Sequence, residues 1–157
     1  MISRTADYAL RAVVYLGNQQ GTSSTTTQLA GEIDAPAGYL AKVMQGLSRA
    51  GIVDSQRGLH GGFTLAHHPN ELTILDVVNS VDAFHRITRC PLGRPGHTSG
   101  LCPLHRRMDN VMAAAEKSLS ETTIGEVLEE PGLLCNLPCL VEAVDLEYAV
   151  AAQPGRR

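Results

Sequence analysis

A chain of 157 residues with 43% hydrophobic content is long enough to bury the core of one compact domain, and its net charge of −3 is not that of a general nucleic-acid coat. Any contact with nucleic acid must therefore be a local patch. The first 17 residues are interrupted by Arg4, Asp7 and Arg11, which excludes a signal peptide or a bilayer helix there. We expect a cytoplasmic protein without a membrane contact.

The first half of the chain has the pattern of a helix-turn-helix. A first helix is predicted over roughly residues 3–16, and Thr25 with Gln28 forms a capping-box start for a short second helix. Residues 34–36 interrupt this pattern, and a third helix then runs to Gly51 with one apolar stripe. Its opposite face either is a solvated surface or contacts DNA through Tyr39, Lys42 and Gln45.

A basic β-hairpin is predicted directly after these helices. Apolar and polar residues alternate from Val53 and again from Phe63, as expected for two half-buried antiparallel strands. The glycine-rich tip is suited to a DNA groove or to phosphates through Arg57, Gly58, His60 and Gly61. The predicted fold is mainly α: a winged helix-turn-helix DNA-binding domain over residues 1–83, with a two-stranded β wing and a long dimerisation helix.

The second half of the chain is predicted to contain three further segments. Residues 84–102 form a loop rich in Gly, Pro, Arg and Ser, which we interpret as a sensor loop. Residues 103–129 comprise a long amphipathic helix opened by Pro103 and a short helix capped by Thr123 and Glu126. The long helix either forms a dimer seam or docks on its own domain. Residues 130–157 are a C-terminal extension.

Metal-ligating residue types are concentrated around the predicted loop. Cys102 and His105 are one helical turn apart at the start of the long helix, so their side chains can converge. With Cys90 and His97 they form a set suited to zinc or to an iron–sulfur centre, although two ordinary thiols and two surface histidines are the alternative. The extension adds two cysteines, which could be extra ligands, a reversible disulfide or buried apolar groups: Cys135 and Cys139.

Five segments occur in a specific order: Thr-Ala-Asp-Tyr-Ala-Leu-Arg-Ala (5–12), Gly-Tyr-Leu (38–40), Arg-Gly-Leu-His-Gly-Gly-Phe (57–63), Arg-Cys-Pro-Leu-Gly-Arg-Pro (89–95) and Cys-Pro-Leu-His (102–105). Over roughly residues 1–128 the chain thereby resembles the Rrf2 family of winged-helix transcription regulators, which includes regulators of the IscR and NsrR types. The resemblance implies a homodimer that binds double-stranded operator DNA, with each loop near the partner's DNA-binding domain.

The resemblance also implies cluster ligands. Cys90 and Cys102 match the first and third cluster cysteines, His105 matches the histidine of the IscR type, and Asp7 matches an aspartate that NsrR-like proteins contribute from the opposite subunit. The middle cysteine is missing and His97 lies in the loop, which favours a 2Fe–2S centre over a 4Fe–4S centre.

We therefore expect a DNA-binding repressor, not an enzyme, that senses redox, nitric oxide or iron–sulfur status through the loop. The alternatives are a cluster-free or zinc-binding regulator of the same fold and a thiol redox metalloprotein.

Overall fold

Six α-helices and one antiparallel hairpin make up the part of the chain that the computed structural model describes, which is residues 2–58, 61–91 and 100–130. Their bounds are α1 Arg4–Asn18, α2 Thr26–Glu32, α3 Ala37–Arg49, β1 Val53–Gln56, β2 Gly62–Leu65, a 3-10 turn Pro69–Glu71, α4 Ile74–Val81, α5 Pro103–Glu121 and α6 Ile124–Glu129. The predicted fold, mainly helical with a two-stranded wing, is confirmed.

Local capping chemistry determines where several helices begin. In three capping boxes a threonine side chain accepts from the backbone N–H three residues later, while that later side chain accepts from the threonine N–H. These boxes start α2, α4 and α6, at Thr25/Gln28, Thr73/Asp76 and Thr123/Glu126. The predicted caps are therefore confirmed, as is Pro103 in the first turn of α5.

The turn between α2 and α3 is made by a left-handed residue followed by a proline. Asp34 has a φ of +49°, which ends the helical path after α2. Pro36 occupies the N-cap of α3, one position before the first helical turn in which the sequence pattern put it. Gly51, with a φ of +75°, follows the end of α3 as predicted.

The hydrophobic core is completed by a helix from far along the chain. Its largest fully buried side chains are Leu29, Ile33, Leu40, Met44, Leu47, Ile124, Val13, Val53 and Val77. Ile124 of α6 is fully buried, and its N–H donates to the Leu72 carbonyl at 2.8 Å. Beside it, a Cβ added to Gly125 would collide with the Asn70 side chain. The domain boundary at residue 83 stays a prediction, but α6 packs in the same core as the helices before it.

The wing is fixed to the rest of the domain through Ser24. β1 and β2 pair in a register that runs from Val53 opposite Leu65 to Gln56 opposite Gly62. Ser24, in the α1–α2 connection, exchanges two backbone hydrogen bonds with Phe63, at 3.0 and 2.9 Å. A Cβ on Gly62 would lie 2.8 Å from the Ser24 backbone, so this close approach requires glycine.

Helix α5 has a largely exposed surface. It has no buried residue and contacts the other described elements mainly through α4. Three large apolar side chains stand in solvent in the single chain: Leu104 (62% exposed), Met108 (45%) and Val111 (70%). Among the described residues, no helix is both long and apolar enough to cross a bilayer.

Candidate metal centre and nucleic-acid interface

Two cysteines and a histidine converge at the N-terminal end of α5. Cys102 is the N-cap residue of α5, and its Sγ lies 3.1 Å from Nδ1 of His105. Cys90 reaches the same nitrogen from the segment after α4, with its Sγ at 3.6 Å. The three potential ligand atoms all lie within 4.8 Å of one another, and all three residues are half-buried. Of the predicted ligands, these are the three that the structure brings together.

The local environment favours the thiolate form of Cys102. The main cause is the backbone N–H of His105, which lies near the sulfur without full capping geometry. The imidazole of His105 is the second cause. Together with the neighbouring Cys90 side chain they lower the pKa of Cys102 to about 7, against a smaller opposing effect of desolvation. A thiolate is the form of cysteine that binds metals and reacts as a nucleophile.

The donor set and its spacing fit a metal ion. Zinc lies about 2.0–2.3 Å from nitrogen and sulfur ligands, so tetrahedral ligand atoms stand roughly 3.3–3.8 Å apart. The distances of 3.1 and 3.6 Å around Nδ1 of His105 are close to this range. Two thiolates and one imidazole leave a fourth position for another ligand. They also suit one edge of an iron–sulfur cluster, in which imidazole can replace thiolate.

The other predicted ligands are not part of this group. Asp7 lies on α1, where its carboxylate forms an ion pair with Arg11 at 2.9 Å, and within one described chain it does not join the cysteines and His105. The side chain of Arg11 is 8% exposed while that of Asp7 is 43% exposed, so Asp7 neutralises a buried guanidinium. His97, Cys135 and Cys139 lie outside the described residues.

A separate set of exposed polar residues lies on α3 and the wing. Lys42 and Gln45 are exposed on the face of α3 opposite its buried stripe, as the sequence predicts. Arg57 and Gly58 are exposed directly after β1, and the φ of Gly58 is +118°. Gly61 is half-buried against the hairpin backbone. His60, the remaining wing candidate, lies outside the described residues.

Tyr39 differs from the other α3 candidates because it is shared with α1. It is 39% exposed, but its hydroxyl lies 2.5 Å from that of Thr5. Its ring also packs edge-on against Tyr8, with ring centroids 5.8 Å apart. Part of this side chain therefore positions α3 on α1, a role that the exposed-face pattern did not indicate.

Sequence reasoning missed an ionic clamp between the segment after α4 and α5. The guanidinium of Arg86 binds both carboxylate oxygens of Asp109, at 2.7 and 2.6 Å, and reaches Glu116 at 3.1 Å. Arg86 lowers the pKa of Asp109, mainly through this hydrogen bonding, and the two acids raise the pKa of Arg86. The seven-residue spacing of Asp109 and Glu116, two turns on one helix face, was the available signal.

A helix-turn-helix joined to a short hairpin defines a winged-helix DNA-binding regulator. The sequence profile of the Rrf2 family, described as iron-dependent transcriptional regulators, matches residues 2–130. The chain belongs to the Rrf2 family. It is a DNA-binding transcriptional regulator and not an enzyme, as predicted.

Relatives and solved structures agree with this assignment. A protein of Aquifex aeolicus assigned as an HTH-type transcriptional regulator is 30% identical over 132 residues, which cover 82% of this chain and 91% of that protein. A Mycobacterium tuberculosis protein of the same description is 31% identical over 131 residues, with 80% of each chain covered.

Two solved structures share the fold. Oxidised Staphylococcus aureus CymR superposes with a TM-score of 0.68 at 21% identity, covering 84% of this chain and 98% of that one. T. potens IscR has a TM-score of 0.65 at 18% identity, covering 100% and 93%. At these identities the likeness concerns the fold alone.

Proposed function

We propose that this Rrf2-family regulator senses redox, nitric oxide or iron–sulfur status through a metal centre held by Cys90, Cys102 and His105. The convergence of two sulfurs and one imidazole within 4.8 Å is the observation that supports the proposal most directly. A site at the start of α5 is well placed for sensing, since within the described residues α5 carries three exposed large apolar side chains. Binding or loss of a metal there would change the conformation of the N-terminal end of α5.

An iron–sulfur cluster, more readily 2Fe–2S than 4Fe–4S, is the proposed cofactor. The set lacks a third cysteine between Cys90 and Cys102, and mixed cysteine and histidine ligation is known chemistry for a two-iron centre. The fourth ligand would be His97 of the same loop or Asp7 of the partner subunit.

Zinc is the second candidate, because the spacing of the donors around Nδ1 of His105 suits a single tetrahedral ion. Such a site would be structural or would sense thiol oxidation. A regulator without any metal is the third outcome.

We further propose that a homodimer binds a palindromic operator. The exposed apolar side chains Leu104, Met108 and Val111 on α5 support this, because a contiguous apolar helix face is normally covered by a partner. Paired α3 helices would enter successive major grooves about 34–36 Å apart. Met108→Glu should convert the dimer to a monomer in light scattering, and a wild-type protein that is monomeric at micromolar concentration would refute the dimer.

The decisive experiment is a visible absorption spectrum and a metal analysis of anaerobically purified protein. An iron–sulfur cluster gives coloured protein with iron and inorganic sulfide, and Cys102→Ala should abolish the colour while circular dichroism keeps the helices. Ser118→Ala, on the same helix, is the matched control and should keep it. Colourless wild-type protein with stoichiometric zinc would select the zinc alternative, and metal-free wild-type protein would refute the proposed centre.

A further inference from the structure

The segment that carries Cys90 has no regular secondary structure, yet it is attached to α5 at a defined place. Arg86 forms a two-pronged contact with Asp109, through Nε at 2.7 Å and a terminal nitrogen at 2.6 Å. The backbone N–H of Ile87 donates to the same carboxylate at 3.0 Å. Paired hydrogen bonds between a guanidinium and a carboxylate fix orientation as well as distance.

The anchoring carboxylate is shielded from water. The side chain of Asp109 is 16% exposed and that of Arg86 is 35% exposed, whereas Lys117 and Glu121, which pair within α5 at 3.7 Å, are 73% and 64% exposed. Exposed pairs contribute little to structure. A two-pronged pair on a mostly covered carboxylate holds its partners in one geometry, which is what a metal ligand on an irregular segment requires.

The Arg86–Asp109 clamp and the candidate metal centre connect the same two parts of the chain, the irregular segment after α4 and helix α5. Asp109 follows His105 by four residues, so both lie on one face of α5, one turn apart. On the other segment Cys90 follows Arg86 by four residues. Because three residues of chain span at most roughly 11 Å, a fixed Ile87 keeps Cys90 close to the start of α5.

We infer that Arg86 and Asp109 are positioning residues that hold the Cys90 thiol within ligand distance of Cys102 and His105. The inference rests on the proposed metal centre. Without the clamp, Cys90 would have to be ordered by the metal itself, so part of the binding free energy would be lost in fixing the chain. Substitution of residues that orient metal ligands typically lowers metal affinity by about 10–100-fold.

The test is an anaerobic titration of full-length apo-protein with Co²⁺, a spectroscopic probe for zinc-type sites. Arg86→Gln and Asp109→Asn should each weaken Co²⁺ binding by roughly 10–100-fold and reduce the thiolate-to-cobalt absorption per bound metal. Arg86→Lys, which keeps the charge but not the two-pronged geometry, should fall between wild type and Arg86→Gln. Lys117→Gln, which breaks the exposed pair on the same helix, should bind as wild type does.

A double-mutant cycle separates positioning of Cys90 from a general loss of stability. If Arg86 acts through Cys90, then Arg86→Gln should add less than a threefold loss in a Cys90→Ala background. Full additivity, or wild-type affinity and absorption in Arg86→Gln, would overturn the inference. Should Arg86→Gln fail to fold, Asp109→Asn carries the same cycle. A wild-type protein without thiolate-to-cobalt absorption would instead refute the proposed centre, so the two failures are distinguishable.

Discussion

The hydroxyl of Tyr39 lies 2.5 Å from the hydroxyl of Thr5, which ties the first turn of α3 to the first turn of α1. The edge-on contact between Tyr39 and Tyr8 lies beside this hydrogen bond. α1 also carries Asp7, the residue proposed to reach the partner's metal centre. A displacement of α1 at Asp7 would therefore be transmitted to the start of α3, the helix that we expect to contact DNA.

Replacing Tyr39 by Phe should remove the hydrogen bond to Thr5 but keep the ring contact with Tyr8. We expect the free energy of unfolding to fall by about 0.5–1.5 kcal/mol, as is typical for one hydrogen bond. Urea denaturation measures this change. Tyr15→Phe is the control, because the Tyr15 hydroxyl makes no hydrogen bond within the described part of the chain. Equal losses in both variants would show that the Tyr39 contact has no particular role.

Asp7 forms an ion pair with Arg11, so a substitution of Asp7 changes the stability of the fold as well as any ligand role. Asp7→Ala leaves the buried Arg11 without its counter-ion, and Nε of Arg11 already has no hydrogen-bond partner among the described residues. We expect Asp7→Ala to lower the free energy of unfolding by about 1–3 kcal/mol, and Asp7→Asn to lower it less because the amide oxygen still accepts.

The visible spectrum of the loaded dimer separates the ligand role of Asp7 from its role beside Arg11. If Asp7 ligates the partner's cluster, Asp7→Asn should alter that spectrum although the fold is nearly intact. An unchanged spectrum in Asp7→Asn would leave Asp7 as a structural residue of α1. Glu32→Gln, at the exposed end of α2, is a matched charge control.

The Cys102 thiol should be alkylated at unusually low pH in metal-free protein. Because its pKa is lowered to about 7, the reactive thiolate forms as the pH rises through 7, and the alkylation rate should be half-maximal there. His105→Ala removes a main cause of the shift and should move the midpoint towards the ordinary value of about 8.5. Mass spectrometry of the Cys102 peptide follows the rate. A wild-type midpoint at 8.5 or above contradicts the prediction.

Truncating Ile124 should destabilise the DNA-binding domain although the residue lies beyond α5. Ile124 is fully buried in the shared core, and removal of a buried isoleucine side chain typically costs about 2–5 kcal/mol. Thermal or urea unfolding of Ile124→Ala gives the value. Ile2→Ala, at a position 45% exposed, should change it by less than about 0.5 kcal/mol. A small effect of Ile124→Ala would argue that α6 docks only loosely.

Arg57→Ala should weaken operator binding by about 1–3 kcal/mol if the exposed wing arginine contacts a base edge or a clamped phosphate. A phosphate contact additionally predicts a salt dependence shallower by roughly one unit. Fluorescence anisotropy at several salt concentrations measures both quantities. Lys117→Ala, on α5, is the control of equal charge. Unchanged affinity at every salt concentration would remove the wing from DNA binding.

Local chemistry was predictable from the sequence, and long-range contacts were not. Threonine caps and helical periodicity depend on residues three or four apart, so helix starts such as Thr25 and Thr73 could be predicted. The contact of Ser24 with Phe63 and the burial of Ile124 depend on which elements meet in space. No local pattern encodes that choice.

The candidate metal centre also has a local part that the sequence predicts and a long-range part that it does not. Cys102 and His105 are one turn apart on one helix, so their convergence follows from spacing alone. Cys90 joins them from an irregular segment, in which Arg86 binds Asp109 of α5, and no local pattern in the sequence encodes these contacts. The long helix could likewise be predicted, but its apolar residues separate into an exposed group and a half-buried group because α5 contacts its own domain mainly along α4.

The position of Ile124 also bears on how the protein is made. A chain synthesised from its N-terminus produces α1 to α4 first, but the core that these helices share stays open until residue 124 leaves the ribosome. Such a late, distant contact raises the contact order and delays final packing. A nascent DNA-binding domain therefore completes its core only after Cys90, Cys102 and His105 have been synthesised, so all three proposed metal ligands are already in the chain when the helix-turn-helix finishes folding.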